Sequence, residues 1–312
     1  MSGHQQEVRP SQVPVTVARS LAQAYQVLAR REPGLTVLAG GTDLMVRVNA
    51  RVAMERLGPV LEVRRVPELR GITFVESAAA PGLRIGALTT YSELIASAAV
   101  RAHFPALAGV AREVGAWAIQ NRGTLGGNIC NASPAGDTLP LLLAAGAVFV
   151  LGGPRGERAV AARDFFLAYR KTQLAADELL LCVEVPAGPQ AGRVVYRKVG
   201  TRRAQSISKV LLAVGGRIED GKLAGVRVAA GCVAPIPLRC PHAEAALEGK
   251  TVTAAVLAEA REALQKDIAP IDDVRSSAVY RRRVAGNVLV RLVQDLVAPA
   301  PAPGAPAWAQ VR

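Results

Sequence analysis

The stretch TLGGNICNASPAGDTLP, residues 124–140, decides how the rest of the chain is read. It sits in a region without hydrophobic period, residues 117–137, rich in Gly and Asn. The paired glycines Gly126 and Gly127 stand between Thr124 and Asn128, whose side chains can donate to phosphate oxygens without adding charge. A second glycine segment, VLAGGTDL at residues 37–44, has the same character. A strand running into Gly-Gly turns sharply and leaves backbone N–H groups unpaired, and such amides form a concave anion site. Two of these segments, each beside a threonine, could hold the two phosphates of one diphosphate from opposite sides. Neither contains G-x-G-x-x-G or G-x-x-x-x-G-K-[ST], so a Rossmann or P-loop fold is not supported.

Outward from these segments the chain alternates helices and strands. Ser20 caps a helix whose apolar face is Leu21, Ala24, Tyr25 and Leu28, and Pro33-Gly34 stops it. Residues 35–39 read as a strand. Residues 72–76 and 83–87 read as paired strands, and residues 100–114 as one helix. Residues 139–145 form a helix followed by a strand at 147–151. ELLLCVEVP, residues 178–186, is a strand closed by proline. Residues 186–192 are a candidate linker. Beyond it, residues 194–199, 210–218 and 226–232 read as three strands, with a hairpin at Asp220-Gly221. Helices are expected at 241–247, 253–265 and 276–297, and the Ala/Pro tail 298–312 is expected to be disordered. The expected organisation is α+β: subdomains at 8–58 and 59–186, a smaller unit at 193–297, then the tail.

The chain has 312 residues, is 50% hydrophobic and 20% charged, and carries a formal net charge of +13. That excludes a mostly disordered chain. Aromatics are only 4% and the basic residues are scattered, which argues against nucleic-acid binding. An arginine-rich surface also suits an acidic protein partner. The longest uncharged stretch, residues 138–154, is broken by Pro140, Gly146, Gly152 and Gly153, so no membrane span is expected. The N-terminal ten residues lack an apolar core, which predicts no secretory signal and a cytoplasmic chain. Cys130, Cys182, Cys232 and Cys240 show no C-x-x-C spacing, so a local metal site or iron–sulfur cluster is not expected. Cys130 reads as an inert packed thiol.

The chain resembles the FAD-binding medium subunit of the molybdenum hydroxylases, the xanthine dehydrogenase and carbon monoxide dehydrogenase family. LAGGTDL and TLGGNICNASPAGDTLP look like the family's two FAD loops. RDFFLAYRKTQL (163–174) with ELLLCVEVP (178–186), YRKVGTRRAQSISKV (196–210) and DDVRSSAVYRRRVAGNVLVRLV (272–293) match later segments in the right order. The resemblance implies a two-part FAD-binding domain of the vanillyl-alcohol-oxidase (PCMH) type, followed by a small α+β domain with a three-stranded antiparallel sheet and helices. It implies non-covalent FAD. It also implies partners: a molybdenum-cofactor large subunit and a small subunit with two [2Fe–2S] clusters, assembled as a dimer of heterotrimers. Electrons would pass from the clusters through FAD to NAD⁺, quinone or O₂ while a xanthine-like N-heterocycle, an aldehyde or CO is hydroxylated. The first loop reads AGGTD, whereas the carbon monoxide enzymes tend to carry AGGHS, which favours an N-heterocycle.

Carried over residue by residue, Val37, Leu38, Ala39, Gly40, Gly41, Thr42, Asp43, Leu44, Thr124, Leu125, Gly126, Gly127 and Asn128 would wrap the diphosphate, mostly through backbone N–H groups. Leu125 would lie against the isoalloxazine ring. Asp137 matches an acidic FAD contact, Leu180 an apolar one and Lys198 a cationic one. Read without the resemblance, Asp137 is a helix N-cap, Leu180 is core and Lys198 is a surface residue. No catalytic residue and no metal ligand are expected in this chain. His4, His103 and His242 lie outside the loops, which disfavours covalent flavin. The alternative is a stand-alone FAD-dependent oxidase of the vanillyl-alcohol-oxidase superfamily, for which the C-terminal unit is small.

Overall fold

The structure is a computed structural model describing residues 13–50, 58–76 and 81–299. The expected tail from residue 300 onward and residues 1–12 lie outside the described residues.

The N-terminal layer is a three-stranded parallel sheet of β1 (Val15–Val17), β2 (Thr36–Leu38) and β3 (Val60–Glu62), with β3 in the centre. Helix α1 (Leu21–Leu28) connects β1 to β2. Ser20 caps it by accepting the Gln23 N–H, and Ala24, Val27 and Leu28 are buried beneath it. Helix α2 (Leu44–Asn49) follows the first glycine segment.

The second layer is a five-stranded antiparallel sheet, in the order β4 (Ile72–Val75), β5 (Gly82–Gly86), β10 (Leu179–Pro186), β6 (Val148–Gly153), β7 (Gly156–Ala161). Strand β10 (Leu179–Pro186) is central and joins both flanks, and its apolar run Leu179–Val183 is buried. A small hairpin of β8 (Phe166–Ala168) and β9 (Lys171–Thr172) precedes it. Between β5 and β6 lies a helical run: α3 (Tyr91–Ala96), α4 (Ala98–His103), α5 (Pro105–Ala111), α6 (Trp117–Gln120), α7 (Leu125–Asn131) and α8 (Leu139–Ala145); α9 (Ala162–Phe165) follows β7.

Two expectations fail here. The single helix over 100–114 is two, because Phe104 (φ −147°, ψ 61°) leaves the helical region before Pro105, which opens α5 at its first position. The aperiodic region 117–137 contains helices α6 and α7.

The C-terminal sheet runs β11 (Arg193–Val199), β12 (Val210–Glu219), β13 (Lys222–Gly231), β14 (Leu238–Arg239), all antiparallel. The three-stranded expectation is short by one, since the two-residue β14 gives no periodic signal. Helices α10 (Pro241–Leu247), α11 (Ala254–Asp267) and α12 (Ala278–Val297) complete this part.

Helix α8 fixes the two parts against each other. All seven of its residues are buried. A β-carbon at Gly215 would lie 2.5 Å from the Ala144 carbonyl oxygen, so glycine lets β12 pack on the end of α8. Arg227 on β13 then donates through Nε to Ala144 O (2.6 Å), satisfying a carbonyl in the last turn of α8.

Asp177, on the turn into β10, receives Arg31 from the end of α1 (2.9 Å) and Arg155 from the β6–β7 turn (2.7 and 3.1 Å). The Arg31 and Arg155 hydrogen bonds hold its carboxyl down at about 2, below the ordinary 3.8. A lowered carboxyl stabilises the fold above its unfolded value and loses that contribution on protonation. Acid denaturation curves should therefore show stability falling as pH drops from 3.8 towards 2. Asp177→Asn should be less stable at neutral pH and show a weaker fall over that window. An unchanged acid limb would refute the clamp.

Candidate cofactor site

The first glycine segment leaves β2 at Leu38 and enters α2 at Leu44. Gly41 has φ +80°, a conformation glycine adopts without strain. Gly40 is constrained differently: a β-carbon there would overlap the Arg122 carbonyl oxygen, so only glycine lets this turn touch the strand of chain before Thr124. The N–H groups of Gly40, Gly41 and Thr42 donate to no acceptor among the described residues.

The second segment is held differently from expectation. Thr124 is the N-cap of α7, its Oγ1 accepting the Gly127 N–H (3.0 Å). Leu125 N–H donates to Thr89 O, Gly126 N–H to Ala87 O and Asn128 N–H to Thr124 O. These amides are spent inside the chain and are not free phosphate donors, which corrects the two-sided amide cradle. Gly126 is glycine because a β-carbon would come within 2.6 Å of the Ala87 side chain. What remains for a ligand on this side is the Thr124 hydroxyl and the Asn128 amide. Thr138 Oγ1 donates to Asn128 Oδ1 (2.7 Å), which fixes that side chain and leaves its NH₂ as a donor.

Both segments line one cleft of about 790 Å³, the size of a cofactor pocket. Val37, Leu38, Ala39, Gly40, Gly41, Thr42, Asp43, Leu44, Thr124, Gly126, Gly127, Asn128 and Leu180 all contribute to its walls. Leu125 does not: it is fully buried in the main core. Cys130 lines the cleft, with burial pushing its thiol up to about 12, so it stays protonated and inert.

The residue that sequence reasoning missed is Arg170, in the β8–β9 turn. It lines the cleft, donates to Asn131 Oδ1 (3.1 Å) and lies 3.8 Å from Asp43, while Asn131 Nδ2 donates to Asp43 Oδ1 (3.2 Å). The Asp43–Asn131–Arg170 group ties the first segment to α7 and the hairpin. A single basic residue in a turn, its partners far away in sequence, offers no periodic signal by which to select it.

Asp137 and Lys198 are brought together with each other. Lys198 Nζ donates to Asp137 Oδ2 (2.6 Å) and to Glu113 O (3.0 Å), and Ser208 donates to Asp137 Oδ1 (2.8 Å). Lys198's side chain is 2% exposed, so the surface reading is wrong, and α8 is capped at Thr138, so the N-cap reading of Asp137 is wrong. Neither residue lines the first cleft. Burial raises the Asp137 carboxyl above its ordinary value, against the opposing pull of Lys198 and Ser208.

Residues 9–188 match the family model described as "FAD binding domain in molybdopterin dehydrogenase", and residues 195–296 match "CO dehydrogenase flavoprotein C-terminal domain". The chain is 32% identical over 285 residues to the putative xanthine dehydrogenase FAD-binding subunit XdhB of Escherichia coli, covering 91% of this chain and 95% of that one. It is 33% identical to the carbon monoxide dehydrogenase medium chain of Hydrogenophaga pseudoflava, covering 88% and 93%. The solved carbon monoxide dehydrogenase of that organism superposes with a TM-score of 0.85 at 32% identity, covering 96% of this chain and 98% of that chain. The fold and cleft thus define an oxidoreductase subunit of the molybdenum hydroxylase class. The chain belongs to the family of FAD-binding medium subunits of xanthine and carbon monoxide dehydrogenases.

The residues present fit FAD. The N–H groups at Gly40–Thr42, unpaired among the described residues, need an acceptor, and Thr124 and Asn128 line the same cleft with two neutral donors. Removing one partner of a buried ion pair strands the other. Lys198→Met should therefore lower stability by about 3 kcal/mol in chemical denaturation, with partial recovery in the Lys198→Met/Asp137→Asn double variant. Additive losses would show that the two groups do not interact.

Proposed function

We propose that this chain is the FAD-carrying subunit of a three-component molybdenum hydroxylase. Its reading rests on one observation: Gly40, Gly41 and Thr42, whose amides are unpaired among the described residues, line one cleft with Thr124 and Asn128. The first segment would donate to the diphosphate, and Thr124 and Asn128 would complete its shell. Leu180 supplies an apolar wall. Asp137 and Lys198 act on the site through the pair they form, holding the 193–297 unit on the 8–186 unit.

When bound, FAD supplies the step between single-electron and two-electron carriers. The protein's part is to orient it, exclude water and leave one edge open. The described residues contain no group of three metal-ligating side chains, and the clusters and molybdenum cofactor are assigned to partner subunits. The solved relatives include a "Cu,Mo-CO Dehydrogenase" and a quinoline 2-oxidoreductase. Among substrates we favour an N-heterocycle, on the AGGTD wording of the first loop. The substrate is selected in the large subunit. The assembly is a dimer of heterotrimers in the cytoplasm. Among the described residues no helix is long and apolar enough to cross a membrane.

The purified protein should be yellow and release unmodified FAD on denaturation. Gly127→Asp is the sharper test. A β-carbon at Gly127 would come within 2.8 Å of Thr124 Oγ1 and of no backbone, so the Thr124 side chain must turn aside while a carboxylate enters the diphosphate site; Gly127→Ala is the control for that shift. FAD content should fall at least about tenfold with an unchanged circular dichroism spectrum. Full FAD occupancy in that variant would remove the cleft from the assignment.

A further inference from the structure

Tyr91, the first residue of α3, is 3% exposed and lines the cleft beside Gly123 and Thr124. Three constraints place its ring there. A capping box fixes the backbone before it: Thr90 Oγ1 accepts the Glu93 N–H (3.2 Å) and the Glu93 carboxylate accepts the Thr90 N–H (2.6 Å). Thr90 bridges Thr124, and the Tyr91 N–H donates to Gly123 O (3.3 Å). Gly123 then leaves room for the ring, since a β-carbon there would lie 2.9 Å from Tyr91 Cε2.

Tyr91 and Tyr196 are both buried, and neither hydroxyl makes a hydrogen bond among the described residues. The Tyr196 oxygen is sealed inside protein. The Tyr91 oxygen is not sealed, and the space beside its ring is the cleft. A buried hydroxyl without a partner is costly, and a ligand acceptor recovers that cost. The same cleft carries the apolar side chains Leu88, Val114, Ile119 and Leu180, which suit a flat ring system, whereas the amides of residues 40–42 suit a charged group. A second cavity of about 910 Å³ adjoins the cleft, and Asp137 lies in its wall. Burial, and then the charge of Asp137, push the Tyr91 hydroxyl above its ordinary 10. At neutral pH it is therefore an uncharged donor.

We infer that the Tyr91 hydroxyl donates a hydrogen bond to an acceptor atom of the isoalloxazine ring, and that this bond both holds the ring and raises its reduction potential. The inference rests on the FAD reading of the cleft and deepens it by assigning a donor to the redox-active end of the cofactor. The sign follows from charge. A ring that has taken up two electrons and one proton is negative, and a hydrogen bond to a charged acceptor is roughly twice as strong as one to a neutral acceptor. The donor therefore favours the reduced form over the oxidised one. Tyr91 keeps its own proton throughout.

The test compares the full chain with Tyr91→Phe and Tyr196→Phe, each of which removes one oxygen and keeps the ring. FAD affinity is read by flavin fluorescence on the flavin-stripped chain, and the midpoint potential by reduction in the presence of an indicator dye. Tyr91→Phe should weaken FAD binding about fivefold and shift the flavin absorption bands. It should also lower the midpoint potential by about 30 mV, which corresponds to a tenfold larger loss from the reduced form in a two-electron couple. Tyr196→Phe should leave all three unchanged. Unaltered affinity, spectrum and potential in Tyr91→Phe, with FAD bound, would overturn the inference and leave the FAD assignment standing. Equal shifts in Tyr196→Phe would overturn it too. Failure of the unmodified chain to take up FAD would strike the assignment itself, and the inference with it.

Discussion

The site depends on an atom that is absent. Gly40 has no side chain, and that allows the turn after β2 to rest on the carbonyl of Arg122, which lies 82 positions further along the chain. The contact joins the parallel N-terminal layer to the loop before α7. Gly40–Thr42 line a cleft, and their amides have no protein acceptor among the described residues. Unpaired N–H groups are costly once water is excluded, so a cleft that presents three of them is complementary to an anion with several acceptor oxygens. The Asp43–Asn131–Arg170 contacts hold the same junction from its outer side.

The C-terminal part closes the far side. Its sheet packs on the buried helix α8, with Arg227 satisfying the end of that helix. The Lys198–Asp137 pair then crosses between the parts, sealed by Ser208 and by the Glu113 carbonyl. A buried pair of this kind adds little net stability over an apolar replacement but tolerates no misplacement of either partner. Its effect is to set the position of β11 and the residue 200–208 loop over the second cavity, beside the first.

Much of the fold is legible in local sequence because local physics determines it. Ser20 caps α1, Asp220-Gly221 turns the β12–β13 hairpin, and the apolar run at 179–183 lies in the buried central strand. The failures share a cause. Pro105 can end one helix or begin the next, and only the Phe104 backbone shows which. Two glycines in the first turn hide α7, whose formation comes from the Thr124 cap and from packing on Ala87. The hydrogen bonds that consume its amides run to Ala87 and Thr89, and Lys198 meets Asp137 across 61 positions; neither leaves a periodic trace. The Gly-Gly pairs therefore suggest free amides on both segments, whereas those of residues 125–128 are bonded within the chain.

The most direct measurement is a crystal structure of the full chain with FAD bound. The diphosphate oxygens should lie about 2.9 Å from the backbone nitrogens of Gly40, Gly41 or Thr42, with the α7 amides still bonded to Ala87, Thr89 and Thr124. A diphosphate held away from residues 40–42, or those three amides bonded to protein while FAD sits elsewhere, would contradict it.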